Sequence, residues 1–310
     1  MFVAVLISFV VVSLGAFGLA FWAYRARGDR SARVGLYLLF GIPAVLLLIA
    51  GFVTFATGGR RPAALLLLLA GGLGLPLLPP FRRLLATVTP LDPDSPVDMA
   101  GLCLLLTTLG GLLFIGSGAL APPSALPAVG ALDIVTQAVA LVVIAYIAVG
   151  WRIIRSGPEA TARLGITRPT WRVLGAAVGA FVAAYALQIV VSLIAIQIQP
   201  GLFNDLDRVT DELTSGLQNP VGAAVIGIGA GVSEEAVFRG ALQPRYGIFL
   251  TSILFALLHA PQYGLNIAIL GLIGVSVIFG LLRRFFGTTS AMIAHALYNF
   301  AAVMIQTYTP

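Results

Sequence analysis

Apolar stretches of roughly membrane-spanning length recur along the whole chain. Ten stand out, at about 1–23, 34–57, 62–80, 99–121, 131–151, 171–198, 219–240, 248–260, 264–282 and 288–308. A helix needs about 20 apolar residues to cross a hydrocarbon layer about 30 Å thick. Nine of the ten approach or exceed that length, and glycine or proline inside them is common enough in membrane helices not to interrupt the reading. With 59% hydrophobic residues, 10% charged residues and a mean hydropathy of +1.02, the chain carries far less charge than the roughly one quarter of a soluble domain. Its solvent is lipid. The fold class that follows is all-α, a polytopic transmembrane bundle of about ten apolar helices.

The eighth segment is the exception. From residue 248 to 260 it holds about thirteen residues, roughly 20 Å of helix, too short to cross unaided. It is expected to tilt or to stop partway, with "HAPQYG" as an irregular stretch lining a cavity. Such backbone is tolerated at depth only where protein or water covers it.

The basic residues orient the bundle. All eighteen are arginine. Arg25, Arg27, Arg30 and Arg33 follow the first segment, and Arg82 and Arg83 the third. Arg152, Arg155, Arg163, Arg168 and Arg172 surround the loop after the fifth, Arg245 follows the seventh, and Arg283 and Arg284 the ninth. Simple alternation puts them all on one side, which makes that side cytoplasmic and the N-terminus extracytoplasmic. The other side has Arg60, Arg61, Arg208 and the acidic connector with Asp205, Asp207, Asp211 and Glu212, read as solvated. A net charge of +6 spread over short loops serves orientation rather than nucleic-acid binding. Cys103 is the single cysteine, which excludes an internal disulfide framework and fits packing. The N-terminus has no basic n-region or cleavage site and reads as a retained helix. An all-Arg chain rich in Ala, Gly and Leu points to a bacterial cell membrane.

Three parts are expected: N-terminal helices over 1–151 with no assigned role; a joint, a sixth helix and the acidic loop over 152–218; and a core carrying the chemistry over 219–308. That last part holds "VSEEAVFRG", two carboxylates and a guanidinium inside an apolar segment. A charge at the bilayer centre costs at least about 2.5–3.5 kcal/mol, and intramembrane ionisable groups are functional by default. Glu235 and Arg239 are four residues apart, share a helix face and can pair. Glu234 is left over, about 100° around the helix, in the position of a general base. Both histidines of the chain also lie here. His259 stands four residues after Phe255, and His295 four residues before Asn299. Phe255 alone reads as packing. Together Glu234 and His259 can hold and deprotonate a water, while His295 and Asn299 donate hydrogen bonds to a developing oxyanion. The same groups can instead ligate a zinc-type ion through Glu234, His259 and His295, although the HExxH signature is absent. Either way the three side chains of Glu234, His259 and His295 must converge.

In these residues the chain resembles the CAAX protease and bacteriocin-processing family of intramembrane endopeptidases, whose pattern is EExxxR, FxxxH and HxxxN on separate helices. Here the three read Glu234-Glu235-Ala-Val-Phe-Arg239, Phe255-Ala-Leu-Leu-His259 and His295-Ala-Leu-Tyr-Asn299. The resemblance covers about 219–305. It implies catalytic roles for Glu234, His259, His295 and Asn299, with Glu235, Arg239 and Phe255 supporting. It implies a membrane-associated peptide or protein substrate, with no cofactor in the glutamate version of the mechanism and a divalent metal such as zinc in the other. Two further readings stand beside it. One is a transporter or proton-relay protein, which favours repeated, broken helices in both halves; the N-terminal half has no matching charges. The other is a non-catalytic member of the same fold.

Overall fold

The computed structural model describes residues 2–119 and 128–308. Residue 1 of the first apolar segment and residues 120–121 of the fourth lie outside the described residues. Every named element is helical, and no strand occurs among the described residues. The long apolar helices are α1 (Phe2–Arg25), α2 (Arg30–Ala56), α3 (Arg60–Gly74), α5 (Pro96–Phe114), α6 (Ala131–Ala148), α8 (Trp171–Ile198), α10 (Pro220–Glu235), α11 (Gln243–Leu257), α13 (Ile267–Phe286) and α14 (Thr288–Tyr308). Between them lie α4 (Pro79–Ala86), α7 (Gly157–Leu164), α9 (Leu202–Thr214) and the single turn α12 (Ala260–Tyr263).

Among the described residues nine stretches are long and apolar enough to cross a membrane. One of them, Pro220–Leu257, is two helices folded back to back. α10 continues as a π-helical turn over Ala236–Leu242 into α11, and the chain breaks at Gly247 with φ +79° and ψ 169°. Phe238 and Phe255 flank that glycine at nearly equal distance in sequence, and their rings meet at 5.2 Å between centroids. A straight helix would hold them about 25 Å apart. Only glycine adopts that backbone without strain. Beyond Gly247, α11 has ten residues left, about 15 Å, so it does not span. α12 and Gly264, at φ +77°, complete the return to α13.

The helix ends sort the loops into two groups. At one end the Tyr24 hydroxyl donates to Ala148 O at 3.2 Å, Arg245 donates to that hydroxyl at 3.1 Å and also pairs with Asp98, and Thr288 N donates to Gly165 O at 2.8 Å. These contacts gather the arginine-bearing loops on a single face. At the opposite end Leu265 N donates to Gly116 O and Val129 N to Leu213 O. The acidic connector is there, folded as the amphipathic α9, with Arg208 bonded to Glu212 at 3.1 Å. α2 opens on a side-chain cap: Asp29 accepts from the amides of Ser31 at 2.9 Å and Ala32 at 3.1 Å. The Ser31 hydroxyl, the Ala32 amide and Arg25 together pull the Asp29 carboxyl down from 3.8 to about 2.

Candidate functional site

Gly227, Gly231, Glu235 and Arg239 recur every four residues and so descend one face of α10 and its continuation. The two glycines let that face reach α14. A Cβ on Gly227 would lie 2.6 Å from Ala296 O, and one on Gly231 would lie 2.7 Å from Ala296 N and 2.8 Å from Met292 O. The neighbouring atoms are backbone and cannot yield. This is the small-xxx-small contact by which membrane helices approach closely. Its consequence one turn further on is that Glu235 meets His295.

Glu235 and Arg239 are fully buried, and His295 is 4% exposed. Both carboxylate oxygens of Glu235 are engaged. Arg239 Nε donates to Oε2 at 2.8 Å, and His295 Nδ1 donates to Oε1 at 2.9 Å. Arg239 Nη2 donates to the Ser276 hydroxyl of α13 at 2.9 Å, and Arg283 Nε donates to Arg239 O at 2.9 Å. One guanidinium nitrogen, Arg239 Nη1, is buried with no partner. A charge pair persists in so apolar a place only when most of its hydrogen-bonding groups are answered; here three helices answer all of them but Nη1. The π-helical turn starts directly after Glu235, and such turns are frequent at functional sites.

Glu234 differs from its neighbour in burial and bonding, although both act electrostatically on His295. It is half-buried and has no hydrogen bond or ion pair within the described residues. Asn299 is likewise half-buried with its carboxamide free of protein partners. His259 lies two residues past α11, at the start of α12, and its Nδ1 lies 3.0 Å from Phe255 O. A carbonyl oxygen only accepts, so Nδ1 carries the hydrogen and a neutral ring presents its Nε2 lone pair away from the helix. Tyr263 stacks parallel to that ring at 6.3 Å.

Phe255 is the hub. Its ring lies 5.2 Å from that of His259, 5.8 Å from that of His295, and 5.5 Å from the Arg239 guanidinium carbon. The fold-back at Gly247 thus brings all three sequence motifs around a single aromatic ring. The structure joins Glu235, Arg239 and His295 by hydrogen bonds. His259 joins them through Phe255, and Glu234 joins none of them by a direct bond. The fit to a metal ion is poor in this arrangement: among the described residues no three His, Cys, Asp or Glu side chains form a ligand group, and His295 Nδ1 is committed to Glu235.

Sequence reading passes over Ser276, Phe279, Tyr263 and the glycine pair. Phe279 covers the other side of His295 at 5.4 Å. Only the glycines have a local signal, the four-residue spacing, and in a chain with 35 glycines that spacing is not specific. Ser276 and Phe279 are set by contacts across helices and leave no trace in local sequence.

Fold and site together define a polytopic helical membrane protein with a buried Glu–Arg–His network beside an unpaired carboxylate. Within it, residues 216–301 match the family described as Rce1-like: Type II CAAX prenyl endopeptidase Rce1-like. The match takes in all three motifs and agrees with the CAAX protease and bacteriocin-processing resemblance. The match spans 86 of the 310 residues, and the family it names is one of endopeptidases. No curated protein and no solved structure matches the chain.

Proposed function

We propose that the chain is an intramembrane endopeptidase, with residues 219–308 as its catalytic core and Glu234 as the general base. The observation that carries this reading is the division of labour between adjacent carboxylates. Glu235 has both oxygens occupied, while Glu234 beside it has none. Glu234 takes a proton from water as the water oxygen bonds to the scissile carbonyl carbon. The His259 Nε2 lone pair orients the same water. The carbonyl oxygen gathers the displaced electron pair, and the Asn299 amide and the outer nitrogen of His295 donate to it, the latter when the ring holds both protons. Collapse breaks the C–N bond, and Glu234 returns its proton to the leaving amine. Glu235 and Arg239 act as positioning residues: they fix the His295 ring rather than touch the peptide. No cofactor is needed. The arginine-bearing face is cytoplasmic in this reading, and the N-terminus is on the other side.

The test uses purified protein in detergent with a fluorogenic peptide that partitions into the micelle. Glu234→Ala lowers the cleavage rate by about 10²–10⁴ without changing the melting temperature, and chelators leave the wild type active. Cleavage that survives Glu234→Ala ends the assignment. Loss on chelation replaces this mechanism with one in which Glu234, His259 and His295 hold a metal.

A further inference from the structure

The other side of the α10–α11 junction faces a second feature. An apolar, partly open cavity of about 150 Å³ lies between α1, α5, α6 and the start of α11. Small and aliphatic residues of α1, α5 and α6 line most of it; Tyr24 and Arg245 close one end. That end belongs to the basic face, where fourteen of the eighteen arginines lie, and four of them crowd together. Arg245 donates to the Tyr24 hydroxyl at 3.1 Å. Tyr24 packs against Gly150, within 3.2 Å of where a Cβ would stand. Arg155 folds back to donate to the neighbouring Val149 O. Arg283 Nη2 comes within 3.5 Å of the Cβ position at Gly165, two residues from Arg163.

All four of these arginines are half-buried. Arg163 has no carboxylate or hydrogen-bond partner, although Arg245, Arg155, Tyr24 and Arg283 all act on it electrostatically. The acids nearby are spent. Asp98 is paired with Arg245 and accepts from Asp92 N, and Glu159 caps α7 through Ser156. Four half-buried guanidiniums share one buried carboxylate, Asp98, bonded to Arg245, and the exposed Glu159, engaged with Ser156; the excess of positive charge leaves a concentrated field. The field sits at the ends of the apolar helices, and an apolar slot leads inward from it.

We infer that this corner binds one anionic phospholipid, with the phosphate among Arg155, Arg163, Arg245 and Arg283 and the head of an acyl chain in the cavity beside Tyr24. The site meets the Glu235–His295 network at Arg283, whose Nε donates to Arg239 O at 2.9 Å; its other three arginines make no bond to that network. Charge complementarity selects the occupant: a zwitterionic headgroup brings its own cation and gains little from four guanidiniums, while a free phosphate leaves the slot unfilled.

Native mass spectrometry of the purified full-length chain in a neutral detergent tests this, with a thermal-shift titration alongside. The probes are dioleoyl phosphatidylglycerol, dioleoyl phosphatidylcholine and inorganic phosphate. The expected result is one retained phosphatidylglycerol per chain and a raised melting temperature, with neither effect from the other two. Arg163→Gln weakens retention about fivefold, the equivalent of roughly 1 kcal/mol for one guanidinium at the membrane surface. Arg163→Lys restores it, Ala20→Leu narrows the slot and also weakens it, and Arg60→Gln at the opposite end changes nothing. Equal retention of phosphatidylcholine overturns the proposal. So does a full shift from inorganic phosphate, or unaltered phosphatidylglycerol binding in both Arg163→Gln and Ala20→Leu.

Discussion

Two arginines are buried to nearly the same degree, Arg82 at 4% and Arg239 at 0%, and they do different work. Arg82 of α4 is answered mainly by backbone: Nε donates to Pro93 O at 2.6 Å and Nη1 to Pro76 O, with Nη2 reaching the Tyr37 hydroxyl at 3.1 Å. None of those partners carries charge. The guanidinium ties a loop to the ends of three helices, and the contact ends there. Arg239 is answered by a carboxylate whose second oxygen holds a histidine. A buried charge therefore does not mark a reactive site by its burial. What distinguishes the C-terminal region is that its partner is titratable and leads on to a second titratable group, with a free carboxylate alongside.

The comparison can be broken most directly by removing each arginine. Arg239→Met leaves Glu235 buried and uncompensated, with an expected loss of about 3–5 kcal/mol and of cleavage per folded molecule as His295 loses its anchor. Arg82→Met strands carbonyls rather than a charge. Its expected cost is about 1–3 kcal/mol, with turnover per folded molecule unchanged. Unfolding in mixed micelles with increasing SDS, paired with the peptide assay, gives both numbers. Equal costs for the two, or lost turnover in Arg82→Met, would erase the distinction.

A smaller perturbation sharpens it within the C-terminal region. Gly231→Ala places a methyl group against the α14 backbone, an overpacking cost of about 1–3 kcal/mol. It should also separate Glu235 from His295, so turnover falls further than stability alone accounts for. Gly229→Ala, whose Cβ would meet only the Ile134 and Ala138 side chains, is the control and retains turnover.

The smallest effect belongs to the N-terminal region. Asp29 has a folded-state value of about 2 against 3.8 in the unfolded chain. A depressed acid contributes stability above the higher value and loses it as pH falls toward the lower one. The α2 cap should therefore weaken between about pH 4 and pH 2. Asp29→Asn should flatten that part of the acid-stability curve, followed by circular dichroism, and leave neutral pH nearly untouched.

Much of this was legible in the sequence. Burial of apolar surface in lipid fixed ten helical segments, since hydrocarbon demands runs of that length. The Glu235–Arg239 pair followed from helical periodicity, and the shortness of the eighth segment from a count of residues. What local pattern does not contain is the register between helices. That His295 answers Glu235 rather than Glu234 depends on how near α10 lies to α14, which Gly227 and Gly231 decide through contacts some 60 residues apart in the chain. Ser276 is invisible for the same reason. Even the fold-back, suggested by a gap between apolar segments, turns on the single left-handed residue Gly247 rather than on a polar loop.

The brevity of α11 has a consequence for the surrounding lipid. Ten residues past Gly247 rise about 15 Å in a layer about 30 Å deep, and the rest of the crossing is left to a one-turn helix and Gly264. Peptide groups in that stretch cannot go unanswered in oil, and protein answers several of them: Tyr263 N donates to His259 O, Gly264 N to Ala260 O and Leu265 N to Gly116 O. Hydrolysis consumes water that a dry membrane interior does not supply. The truncated helix brings Phe255 to the ring of Phe238 and sets His259 one turn beyond it, where α11 stops short and where, in the proposed hydrolysis, water has to enter.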